Sequence, residues 1–167
     1  MKRTTIKQLY RSTDLKNGEK VRVAGWIRSI RANNNVGFVS INDGSFFDCL
    51  QVVIEKDKLE CYDAIASLNV GSAVYFEGSI VLTPDAKQPF ELNADVAEIE
   101  GESTPDYPLQ KKRHSNEYLR TIAHLRPRTN TFSAVFRVRS ILAYAIHSFF
   151  NERGFVYVHT PIITTSD

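Results

Sequence analysis

The sequence predicts a mainly β protein with added helices. It should form a five-stranded barrel, then a connecting region, then the helical start of a further α/β domain. Three observations carry this reading. Lys20 to Arg31 alternates apolar and polar residues with a period of two. Up to about Ile99 the elements read as three strands, a helix and two more strands. Beyond Thr131 the apolar residues change to helical spacing and stop at Arg153-Gly154.

The elements follow in order. Thr4 or Thr5 can cap a short helix at about Ile6–Tyr10, and Gly18 turns the chain. In the first strand Val21, Val23, Gly25 and Ile27 share one face, and Arg22, Ala24, Trp26 and Arg28 the other. The Asn33-Asn34-Asn35 loop breaks it. The second strand, about Val36–Asn42, turns Val39 and Ile41 inward and Phe38 and Ser40 outward. Asp43-Gly44 signals a tight hairpin into a third strand expected over Phe46–Ile54, with Cys49, Gln51 and Val53 on its outer side. A helix is expected over Glu55–Leu68, then strands over Ala73–Leu82 and Phe90 to about Ile99, with Pro84 and Pro89 in the loop between them. That order is the order of the OB-fold, a Greek-key barrel that binds oligonucleotides on its second and third strands and adjoining loops. Other small barrels share it.

Gly101 to Leu109, with two prolines, reads as a linker. Ser115 can cap a helix through Ala123, with Glu117 in its first turn, and Pro127 ends that helical stretch. The long helix carries a stripe of Phe132, Val135, Phe136, Leu142, Ile146, Phe149 and Phe150. Val156–Ile163 is expected as a strand interrupted by Pro161, at an edge or a turn. The domains are therefore expected at 1–101 for the barrel, 102–130 for a hinge with a short helix, and 131–167 for the start of the next domain.

Composition excludes more than it selects. The 167 residues are 43% hydrophobic and 24% charged with net charge +2, so any nucleic-acid contact must come from local clustering rather than bulk charge. Cys49 and Cys61 have no zinc-like spacing or second pair, which argues for reduced thiols. His114, His124, His147 and His159 have no ligand spacing, so no metal is assigned. The N-terminus has no apolar signal region, and no run is long enough for a membrane helix, so a cytoplasmic protein is expected.

Strand parity puts Arg22, Trp26, Arg28, Phe38 and Gln51 on the outer barrel face. An outward ring can stack on an unpaired base, and a carboxamide can donate and accept at a base edge. Arg28, and Arg31 at the strand end, can meet phosphates. Each residue has a plainer use: Phe38 beneath the asparagine loop or a neighbouring domain, Gln51 and Arg22 as solvated groups, Trp26 as packing. The linker region adds Lys111, Lys112 and Arg113, either a solvated run or a contact to an RNA backbone. The helical stripe is either core or a surface that another chain or further sequence covers.

Nearly the whole chain resembles one family. VRVAGWIRSIR with GFVSINDGSFFDCLQVVI is similar to the anticodon-binding barrel of the class IIb aminoacyl-tRNA synthetases, and the tail from Phe136 resembles their motif 1. DGSFFDCLQVVI, YPLQKKRHSNEYLRTIAHLRPRTN and GFVYVHTPIITTSD resemble the asparaginyl branch. The resemblance implies that Phe38 stacks on the central anticodon base, that Gln51 reads it as uridine, and that Arg28 and Arg31 lie near the anticodon loop. It places Pro161 at a homodimer interface, with Phe136, Leu142 and Phe149 of the stripe joining it. It implies ATP and Mg²⁺ for the full enzyme and no cofactor in this portion, which should bind tRNA and catalyse nothing alone. Ser166-Asp167 would border the amino-acid pocket. Three readings compete: an aspartyl enzyme, including one that charges both tRNAs; a free-standing non-catalytic nucleic-acid module; and an interaction protein using the long helix.

Overall fold

Helix α1 (Ile6–Arg11) begins with all its first amides satisfied. Thr5 and Gln8 form a reciprocal capping box, in which the Thr5 hydroxyl accepts from the Gln8 amide at 3.2 Å and the Gln8 side chain accepts from the Thr5 amide at 2.8 Å. The next two donors go to a distant loop: Ile6 N–H to the Asp43 carboxylate and Lys7 N–H to the Ser45 hydroxyl, each at 3.0 Å. These bonds pin α1 to the barrel while Ile6 and Leu9 enter the core.

The computed structural model describes residues 2–163. Strands β1 (Lys20–Ala32), β2 (Val36–Asn42), β3 (Leu50–Glu55), β4 (Ala73–Leu82) and β5 (Phe90–Gly101) close in the order β1-β2-β3-β5-β4. All neighbours are antiparallel except β3 and β5. The long β1 serves two partners: Lys20 to Trp26 pair with β4, and Trp26 to Ala32 pair with β2. Inward residues alternate as period two requires, with Val21, Val23, Ile27, Val39, Ile41, Leu50, Val52, Ile54, Phe76, Ile80 and Leu92 buried. Gly78 is required where β4 bends across β5, because a β-carbon there would lie 1.9 Å from the Asn93 carbonyl oxygen.

Two expected elements are shorter than the sequence suggested. The third strand starts at Leu50, and Asp43 to Cys49 form a loop instead of a tight hairpin. Side chains compete with strand pairing there. Asp43 accepts from Ser45 as well as from α1, the Asn42 amide donates to the Phe46 and Asp48 carbonyls, and Phe46 stacks on Tyr10. Helix α2 covers only Tyr62–Ala66, because β3 continues through Glu55 and turns fill the intervening residues. Leu59, Tyr62 and Ile65 still plug one end of the barrel, and the Tyr62 hydroxyl donates to the Asn33 carbonyl at 2.8 Å.

Contacts divide the chain after Ile122. The segment after β5 belongs with the barrel: Asn69 donates to the Ser103 carbonyl, Ser72 accepts from the Ser103 amide, and Leu109 is buried. Helix α3 (Asn116–Thr121) starts at Ser115, whose hydroxyl accepts from the Tyr118 amide, and buries Leu119. Hydrogen bonds from its own amide and from Ser115 hold the Glu117 carboxyl below the usual carboxylate range.

The second unit holds a 3-10 turn at Arg126–Arg128 and helix α4 (Asn130–Asn151). Its closing turn is a Schellman motif: Gly154, at φ 83°, donates to Asn151, Phe155 donates to Phe150, and the Phe150 and Phe155 rings meet. The strand expected over residues 156–163 does not form, since a strand needs a ladder partner and none is present among the described residues. Ser166-Asp167 lie outside the described residues. No described helix is long and apolar enough to cross a membrane.

Candidate nucleic-acid interface

The outer side of β1, β2, β3 and β5 forms one floor with two registered rows. Arg31, Phe38, Val53 and Asn93 lie side by side across the four strands. Ser29, Ser40 and Gln51 form the adjacent row, and Glu91 continues it on β5. Phe38 is 41% exposed, so the asparagine loop does not cover it. Its diagonal neighbour across β2 and β3 is Gln51, at a spacing of about 7–8 Å for such pairs. A planar base resting on the Phe38 ring would therefore direct an edge toward an amide.

Arginine placement departs from simple parity. The register between β1 and β2 shifts between Ile27 and Ser29, leaving Arg28 in a bulge. The extra residue inverts the alternation, so Ile30 packs against the core and Arg31 stands opposite Phe38. Arg31 is exposed on the floor, whereas Arg28 is half-buried within the bulge. The parity reading set Arg28 on the outer face without the bulge, and Arg31 is exposed at the strand end as expected.

Arg22 and Trp26 are outward, as expected, but not on this floor. They lie on the half of β1 that pairs with β4. Arg22 is ion-paired to Glu77 and lies 5.1 Å over the Tyr75 ring, and Glu77 raises the guanidinium's affinity for its proton. A groove there of about 540 Å³ is lined by Arg3, Arg22, Trp26, Tyr75, Glu98 and Glu100. Its carboxylates oppose an anionic backbone, so Arg22 is a poor phosphate contact.

The loop beside the floor is preformed. The Asn33 side chain accepts from the Asn35 and Val36 amides at 2.8 and 2.9 Å, and Tyr62 holds the Asn33 carbonyl from inside the barrel. One feature of this floor is not legible in the sequence. Gln51 donates to the Glu91 carboxylate at 2.7 Å, and Gln88 donates to the same oxygen. The available signal was the alternation at the start of β5, but the parallel pairing of β3 with β5 cannot be read locally.

Lys111, Lys112 and Arg113 are exposed in the segment before α3. In the second unit Phe136, Leu142, Phe149 and Pro161 are also exposed. The Arg153 guanidinium lies 3.6 Å over the Phe149 ring. Apolar exposure goes beyond the expected stripe, with Ile141 68% and Tyr144 76% exposed.

Comparison with known proteins agrees with this fold. Residues 21–100 match a family described as the OB-fold nucleic acid binding domain, and residues 115–167 match the tRNA synthetases class II (D, K and N). Segment by segment, the chain is thus similar to an OB-fold nucleic acid binding domain followed by a class II tRNA synthetase region. Over its whole length it is similar to asparagine–tRNA ligases. It is 66% identical over its full length to the asparagine–tRNA ligase of Acetivibrio thermocellus and 59% to that of Bacillus cereus, spanning 36% of each relative. The chain spans about a third of the length of these curated relatives. The fold matches the asparaginyl-tRNA synthetase of Pyrococcus horikoshii with a TM-score of 0.86 at 24% identity, over 98% of this chain and 39% of that one.

Proposed function

We propose that the floor over β1, β2, β3 and β5 binds the anticodon loop of a tRNA whose central base is uridine. In a protein of the relatives' length this face selects the tRNA that receives asparagine, in a reaction using ATP and Mg²⁺. The observation that carries the reading is the exposed Phe38 ring with Arg31 opposite it and the Gln51 amide on its diagonal. Ring, cation and amide serve stacking, phosphate contact and base-edge reading in turn. That the matched relatives are named asparagine–tRNA ligases supports asparagine over aspartate as the amino acid. No residue here is assigned a catalytic role. Lys111, Lys112 and Arg113 are proposed to follow the tRNA backbone, with Arg28 supporting the loop beside Arg31.

Titration with anticodon stem-loops tests this. The chain is expected to bind a loop with central uridine more tightly than one with central cytidine. Gln51→Ala should narrow that difference more than it lowers affinity for the uridine loop. Equal losses on both loops contradict a reading role for Gln51.

Helix α4 is proposed to pair two copies in the longer protein, with Phe136, Leu142, Phe149 and Pro161 at the contact. The support is its exposed apolar surface, which is unfavourable to leave in water. Sedimentation of a protein of the relatives' length should show a dimer that Leu142→Asp converts to monomer; a dimer unaffected by that change contradicts the assignment.

A further inference from the structure

The geometry points to Glu91 as a positioning residue that makes Gln51 specific for uridine over cytidine, by fixing which end of its amide faces the base. This rests on the proposal that Gln51 reads the central base. A primary amide is ambivalent: one end accepts and the other donates, and a half-turn exchanges them. Uracil offers an N3–H donor beside carbonyl acceptors. Cytosine offers an N3 acceptor beside an amino donor. A freely turning glutamine therefore serves either base, accepting from N3–H in one pose and donating to N3 in the other.

Glu91 removes that freedom. A carboxylate only accepts, so it holds the Gln51 NH₂ group, at 2.7 Å between Nε2 and Oε1. The half-turned amide would bring its oxygen against the carboxylate, where the bond is lost and repulsion replaces it. With Nε2 held, the Gln51 carbonyl oxygen is presented to N3–H, and the second Nε2 hydrogen remains for a uracil carbonyl. The same pose sets acceptor against acceptor at cytosine N3. Gln88 donates to the same Glu91 oxygen and so holds the carboxylate in turn. The three side chains lie on strands or loops fixed by barrel pairing, as the β3–β5 register at Val52–Leu92 and Val53–Asn93 requires.

The test uses the chain with two anticodon stem-loops that differ only in a central uridine or cytidine, titrated by fluorescence anisotropy. The wild-type chain must prefer uridine; absence of that preference overturns the proposed function itself. Given the preference, Glu91→Gln and Glu91→Ala are each expected to cut the uridine-to-cytidine ratio by about fivefold, the low end for one bidentate base contact. The change should come chiefly from tighter cytidine binding, which mere damage to the fold does not produce. In a Gln51→Ala background, Glu91→Gln should leave the ratio unmoved. A ratio within about twofold of wild type in a folded Glu91 variant overturns the inference, as does a fall caused only by weaker uridine binding. Thermal melting of both variants separates either result from unfolding.

Discussion

Phe38→Ala is expected to weaken binding of the anticodon stem-loop by about 1–3 kcal/mol, roughly a five- to 150-fold rise in Kd. The ring is exposed and adds little to the barrel core, so the melting temperature should barely move. Phe38→Tyr keeps a flat face and should keep most of the affinity. This pairing matters because an affinity loss with an unchanged fold separates stacking from support. A titration in which alanine binds as well as phenylalanine removes the stacking platform from the account. Since every base has a π-face, the loss should be similar for uridine and cytidine loops, in contrast to changes at Gln51.

Tyr62→Ala is expected to cost about 3–5 kcal/mol of barrel stability, the range for deleting a buried aromatic side chain. Tyr62 is 2% exposed and closes the barrel end with Leu59 and Ile65. Its hydroxyl also anchors the Asn33 carbonyl, so the loop next to Arg31 and Phe38 depends on the same residue. Urea unfolding measures the loss. Tyr62→Phe keeps the ring and removes only the bond, so it should cost about 0.5–1.5 kcal/mol. The loop would then be freed without opening the barrel, and a modest affinity loss should accompany a small stability change. If the alanine variant unfolds at the wild-type midpoint, the barrel is not closed in the way described.

What was legible in the sequence follows physical range. Period-two alternation needs only neighbouring residues, and it located β4 and placed Phe38 and Gln51 outward correctly. The end of α4 was legible because Gly154 adopts a positive φ next to a Phe150–Phe155 contact, all within a few residues. Errors arose where a distant partner decides. The Arg28 bulge depends on how β1 meets β2, and it takes Arg28 out of the row that simple parity gave it. Arg22 faces outward as parity requires, but β1 changes partner along its length, so outward at its two ends means two different surfaces. Asp43-Gly44 carried a hairpin signal, yet Asp43 serves α1, far away in the chain. Glu91 was invisible for the same reason: its link to Gln51 crosses a parallel strand pair.

The Phe38 floor, rather than the Arg22 groove, is proposed to receive the central anticodon base. Photocrosslinking a stem-loop carrying 5-iodouridine at that position tests it most directly, because the reaction selects an aromatic ring in contact with the base. Mass spectrometry of the product should place the link at Phe38. A link at Trp26 or Tyr75 would contradict the account.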